Sequence, residues 1–103
     1  MKKQNKPNIL THLFEEDDKL YIYLRNPIIG KAFMQIAEDE GFLFSDGKKP
    51  TKRKSGDIMA IYKNKEICYV GYTGHIAFRS QNCNIKKIDF EKLLNHSKDY
   101  IIA

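Results

Sequence analysis

At Asn26-Pro27 the hydrophobic pattern changes period, which marks where a strand must end and a helix begin. Before it, Lys19 to Arg25 alternates strictly, with Leu20, Ile22 and Leu24 on one side and Tyr21, Tyr23 and Arg25 on the other. That is the period of a half-buried strand. After it, Ile28, Ile29, Ala32, Phe33, Ile36 and Ala37 recur at helical spacing. Asn accepts from the orphan amides of a first helical turn, and Pro presets φ at the first helical position. Gly41 supplies the stop. Glu38-Asp39-Glu40 falls in the last turn, where acids oppose the helix dipole, and the three read as solvated.

Upstream, Ile9, Leu10, Leu13 and Phe14 form one face of a short helical turn, ended by the acidic run Glu15–Asp18. Downstream, Phe42-Leu43-Phe44 reads as a short strand entering a Ser45-Asp46-Gly47 turn. Ile58–Tyr62 and Glu66–Tyr72 are two apolar, β-branched and aromatic runs joined by Lys63-Asn64-Lys65, a hairpin pattern. Thr73-Gly74 reads as a turn, His75–Arg79 as a further strand and Ile85–Ile88 as an edge strand. Asp89 is placed to cap a final short helix, Phe90–Leu94. The series predicts an α+β fold: a mainly antiparallel sheet of about four to five strands, one long helix packed on a face and a short C-terminal helix. With 103 residues there is material for one core. The expected organisation is a flexible basic tail, 1–8, and a single domain, 9–103.

Charge narrows the partners. Eighteen Lys and Arg against thirteen Asp and Glu give +5. Lys48, Lys49, Lys52, Arg53 and Lys54 lie within seven residues that hold no acid, so the rest of the chain is balanced. Such a mobile electropositive loop could neutralise several phosphates with salt-dependent affinity. A solvated loop without ligand is the plain alternative. The loop has no aromatic to stack on bases, and the nearest platform is Tyr21, Tyr23 and Arg25 on the polar face of the first strand.

No apolar run approaches the ~18 residues of a membrane helix, and no signal-peptide core follows Met1. A cytoplasmic protein without a membrane partner is therefore expected, with Cys68 and Cys83 as thiols. Cys68, His75, Cys83 and His96 would make a zinc set by count, but six, seven and twelve residues separate them, unlike compact ligand pairs. No metal and no cofactor is expected. No acid is near His75 in sequence, Asp57 being 18 positions away, so its expected role is to close a turn by hydrogen bonding.

Two resemblances add to this. Gly56-Asp57-Ile58, ten residues, then Tyr69-Val70-Gly71, with Thr73 following and Arg79 ten positions after Tyr69, is similar to the opening of the GIY-YIG nucleases. That family implies hairpin tyrosines acting on the attacking water, an arginine on the next helix stabilising phosphate charge, and a later glutamate holding metal. Tyr69 and Arg79 match by position. Ile58 stands where the first tyrosine belongs, His75–Arg79 reads as strand, and Glu91 is the one glutamate after Arg79.

A broader series resembles small proteins of bacterial phages and integrated mobile elements in Gram-positive hosts. It runs Gly41-Phe42, Ser45-Asp46-Gly47, Lys49-Pro50-Thr51, Asp57-Ile58, Ile67–Gly71, Gly74-His75, Ala77-Phe78 and Ile88–Glu91. Such proteins include inhibitors of host defence, among them anti-CRISPR proteins that bind an RNA-guided nuclease. The expectation is a non-enzymatic binding protein, with no catalytic residues, whose partner is a host defence ribonucleoprotein. Its contact surface would be the five loop cations with Tyr21, Tyr23 and Arg25. The alternatives are a small nucleic-acid-binding regulator using Lys48–Lys54 and a degenerate GIY-YIG-like nuclease.

Overall fold

The computed structural model describes residues 9–80 and 85–102; the expected tail, 1–8, and Cys83 lie outside them. The fold is α+β, with five strands in one mixed sheet and three α-helices. Strands β1 (Lys19–Tyr23), β2 (Ile58–Tyr62), β3 (Ile67–Tyr69), β4 (Lys86–Asp89) and β5 (Ile101–Ile102) stand in the order β3-β2-β1-β4-β5. Three pairings are antiparallel and β1 runs parallel to β4.

Helix α1 (Pro27–Asp39) begins at the period switch: the Asn26 side chain accepts from the amide of Ile29 at 2.9 Å, and Pro27 is the first helical residue. Gly41 follows at φ +91°, the left-handed conformation glycine tolerates best. Helix α3 (Phe90–Leu94) is capped by Asp89, whose carboxylate accepts from the Lys92 amide. A single 3-10 turn, Thr11–Leu13, occupies the upstream apolar segment.

One face of the sheet carries Leu20, Ile22, Met59, Ile61, Ile67 and Ile88 against Phe33, Met34 and Ala37 of α1 and Phe90 of α3. Phe33 and Phe90 meet edge to face at 5.2 Å. This is the main core.

The opposite face is also covered, contrary to the sequence pattern. His75–Arg79 is helical, not a strand: it belongs to α2 (Tyr72–Arg79), which lays Ala77 and Phe78 over Tyr21, Tyr23, Ile58 and Ala60. Gly74 is a close-approach residue and not a turn, because a Cβ there would lie 2.5 Å from Cγ1 of Val70. Weak helix formers and a central glycine conceal this helix from propensity; packing against the hairpin imposes it. Tyr21 is consequently only 4% exposed, so the first strand's second face is a small core and not a half-open platform.

Two further expectations change. Ile85–Ile88 does not form an edge: β4 lies between β1 and β5. Phe42-Leu43-Phe44 is not a strand but contributes one parallel bridge, Leu43 to Glu66, along β3. That bridge shields an otherwise open sheet edge.

Candidate functional site

The seven-residue basic segment is tied to the rest of the fold by several contacts. A 3-10 turn, Pro50–Lys52, runs through it with Pro50 buried. The Thr51 amide donates to the Glu38 carboxylate at 3.1 Å, joined by the Thr51 hydroxyl. Arg53 pairs with Asp46, and its guanidinium lies 4.5 Å from the Phe44 ring centre. The Tyr69 hydroxyl donates to the Lys54 carbonyl at 2.6 Å. Hydrogen bonds from Thr51 hold the Glu38 carboxyl below its usual range, and those from the Lys48 amide and Arg53 do the same for Asp46. Glu38 therefore anchors the loop where the sequence pattern left it solvated.

Glu40, another of the three acids expected to be solvated, clamps the upstream turn. It accepts from the Leu10 amide at 3.0 Å and from the amide and hydroxyl of Thr11 at 2.9 and 2.8 Å.

Pinning the loop against α1 creates a groove of about 760 Å³. One wall is the start of α1, with Asn26, Pro27, Lys31, Met34 and Gln35; the other runs from Thr51 to Asp57. The walls approach closely at Gly30, where a Cβ would fall 2.0 Å from the Ser55 hydroxyl oxygen. Asn26 and Pro27, the cap and the first residue of α1, line the same space at the helix's positive end.

Five cations line this groove: Arg25, Lys31, Lys52, Arg53 and Lys54. Arg25 is held by Asp89 at 2.7 Å and Glu91 at 2.9 Å, and Arg53 by Asp46. Lys31, Lys52 and Lys54 are exposed and form no ion pair among the described residues. The one acid in the lining, Asp57, has Oδ1 3.0 Å from His75 Nε2. The groove therefore presents at least three uncompensated positive charges.

The structure thus redistributes the expected contact set. Lys52, Arg53, Lys54 and Arg25 share the groove, whereas Lys48 and Lys49 are exposed outside its lining. Tyr21 and half-buried Tyr23 pack against Phe78, each 6.1 Å away between ring centres. Lys31 was not among the expected residues; it sits on the α1 wall, facing the basic segment, and is hidden by a chain that balances outside Lys48–Lys54. The missing acid beside His75 is present as well, since β2 and α2 bring Asp57 to it across 18 positions.

Of the residues matching the nuclease pattern, Tyr69 is on β3 and Arg79 ends α2, so a helix does follow the hairpin. Ile58 is buried in the smaller core, and Glu91 is engaged by Arg25. Cys68 lies on β3 with its sulfur 3.9 Å from the Tyr62 hydroxyl, His75 is on α2, and His96 follows α3 in the left-handed conformation. Among the described residues no group of three or more His, Cys, Asp or Glu side chains could hold a metal, and no helix is long and apolar enough to cross a membrane.

Comparison of the chain with protein-family models, with curated proteins and with solved structures finds no match.

Proposed function

We propose that this protein is a non-enzymatic binding protein of the bacterial cytoplasm that takes the phosphate backbone of a nucleic acid into the groove between α1 and the Thr51–Asp57 segment. The observation that carries the reading is the set Lys31, Lys52 and Lys54, drawn from two walls of one groove, none of which pairs with an acid among the described residues. Ordering each exposed lysine on a phosphate costs about 0.5–1.5 kcal/mol, and the release of condensed counterions from the strand offsets it.

The test is fluorescence anisotropy with a labelled twelve-nucleotide strand between 50 and 200 mM salt. For single strands the slope of log K against log salt is about −0.7 per phosphate neutralised. Replacing Lys31, Lys52 and Lys54 by Ala is expected to make the slope shallower by about 2 and to weaken low-salt binding. Equal slopes for the two proteins overturn the assignment to this groove.

The strand need not be free. The resemblance to phage and mobile-element proteins supports a host defence ribonucleoprotein as its carrier, in which case the protein acts as an inhibitor of anti-CRISPR type. Target cleavage by a panel of RNA-guided nucleases, with and without the protein, tests that partner; unchanged cleavage throughout contradicts it.

A further inference from the structure

The basic segment holds no aromatic residue of its own, but the fold brings two to it. Phe44 contacts both the Arg53 guanidinium, 4.5 Å from its ring centre, and the Tyr69 ring, stacked at 5.5 Å with 26° between planes. Tyr69 is tied to the groove wall by its hydroxyl on the Lys54 carbonyl. Its ring also stands over Gly56, where a Cβ would lie 3.9 Å from a ring carbon. Both Lys54 and Gly56 line the groove. Even so, 48% of Tyr69 remains in solvent, unusual for a ring fixed by a stack on one side and a hydrogen bond at its tip. Tyr69 does not itself line the groove, but it abuts two residues that do, Lys54 and Gly56, and an exposed aromatic beside a cationic groove is the pairing that single-strand binding proteins use: cations follow the backbone and a ring receives a base.

The geometry points to Tyr69 as a base-stacking platform, so that the ligand of the groove is a single strand with unpaired bases and not a duplex. This rests on the reading of the groove as a phosphate site and adds the class of nucleic acid it selects. In a duplex the bases already stack on each other and their faces are unavailable to Tyr69. In a single strand, a phosphate at Lys52 or Lys54 leaves the adjoining base free to turn onto the ring. The hydroxyl contact only orients the ring, so the aromatic face and not the oxygen should carry the preference.

The experiment compares three labelled ligands of twelve units on the wild-type protein at low salt: oligothymidylate, an abasic deoxyribose-phosphate strand and a base-paired duplex. Stacking of one base is worth about 1–3 kcal/mol, so oligothymidylate is expected to bind about tenfold more tightly than the abasic strand, and more tightly than the duplex. Tyr69→Ala is expected to abolish the difference between oligothymidylate and the abasic strand, and Tyr69→Phe, which loses only the hydroxyl contact to Lys54, to retain it. Equal binding of oligothymidylate and abasic strand by the wild-type protein overturns the stacking role while leaving the phosphate groove intact. So does tighter binding of the duplex. Failure of all three ligands to bind overturns the groove reading and this inference with it. The wild-type comparison needs no folded variant, and far-UV circular dichroism checks the two substitutions.

Discussion

Both ring nitrogens of His75 face acceptors: Nε2 lies 3.0 Å from Oδ1 of Asp57, and Nδ1 lies 3.0 Å from the carbonyl oxygen of Gly71. Neither a carboxylate nor a carbonyl can donate, so both contacts are satisfied together only when the imidazole carries two protons. The cation joins the first turn of α2 to the segment that lines the groove, and it offsets the only acid in that lining.

A pH dependence follows. The Asp57 contact, with the Gly71 carbonyl, raises the His75 pKa above 6.5, with Arg79 opposing from the same helix; the His75 hydrogen bond in turn lowers the Asp57 pKa below 3.8. The histidine's contribution to stability is fully present below 6.5 and is lost as pH rises through its raised folded value. The aspartate's is present above 3.8 and is lost as pH falls through its depressed folded value. Both groups are partly exposed, so the pair is worth less than about 1 kcal/mol. Proton NMR of the His75 ring is expected to give a midpoint above that of an unfolded histidine, and Asp57→Asn to lower it. A midpoint unmoved by Asp57→Asn contradicts the pairing.

Gly30 sets the width of the groove. Alanine there gains about 1 kcal/mol of helix propensity, but its Cβ would meet the Ser55 hydroxyl at 2.0 Å and the Ser55 Cβ at 3.1 Å. Overpacking of this kind costs about 1–3 kcal/mol, so Gly30→Ala is expected to lower stability. In a Ser55→Gly background both obstructing atoms are gone, and the same substitution should become neutral or stabilising. Urea denaturation of the four proteins checks this. Equal destabilisation in both backgrounds contradicts the close approach.

Glu40 accepts from the amides of Leu10 and Thr11, and Leu10 is fully buried. Glu40→Ala leaves the Leu10 amide without its acceptor, at about 1–3 kcal/mol for a buried donor. The urea midpoint should fall at unchanged slope. A shift within the ~0.5 kcal/mol of an ordinary surface substitution contradicts the clamp.

What the sequence revealed and what it hid divide along a physical line. Local signals read correctly: Asn26, Pro27 and Gly41 bound α1 through backbone chemistry that acts within a few residues, and Asp89 caps α3 in the same way. The Lys63-Asn64-Lys65 hairpin is likewise local, with Lys65 in the left-handed conformation at φ 75°. Long-range packing of Ala77 and Phe78 against Tyr21, Tyr23, Ile58 and Ala60 overrode the pattern at α2, and Gly74, which reads in isolation as a turn, is required there by the close approach of Val70. Missing that helix also left Tyr21 on an open face. The candidate site was half legible: five clustered cations are visible in any charge count, but Lys31, the Phe44–Tyr69 stack and the Asp57–His75 pair arise only when distant segments meet.

The most direct test of the groove is amide chemical-shift mapping of the isotope-labelled protein titrated with a twelve-nucleotide single strand at low salt. The account predicts that perturbations concentrate at Leu24–Gln35 and Thr51–Asp57, the two walls that carry Lys31, Lys52 and Lys54. Perturbations centred elsewhere, on β5 and α3 for instance, or no perturbation at all, would contradict it.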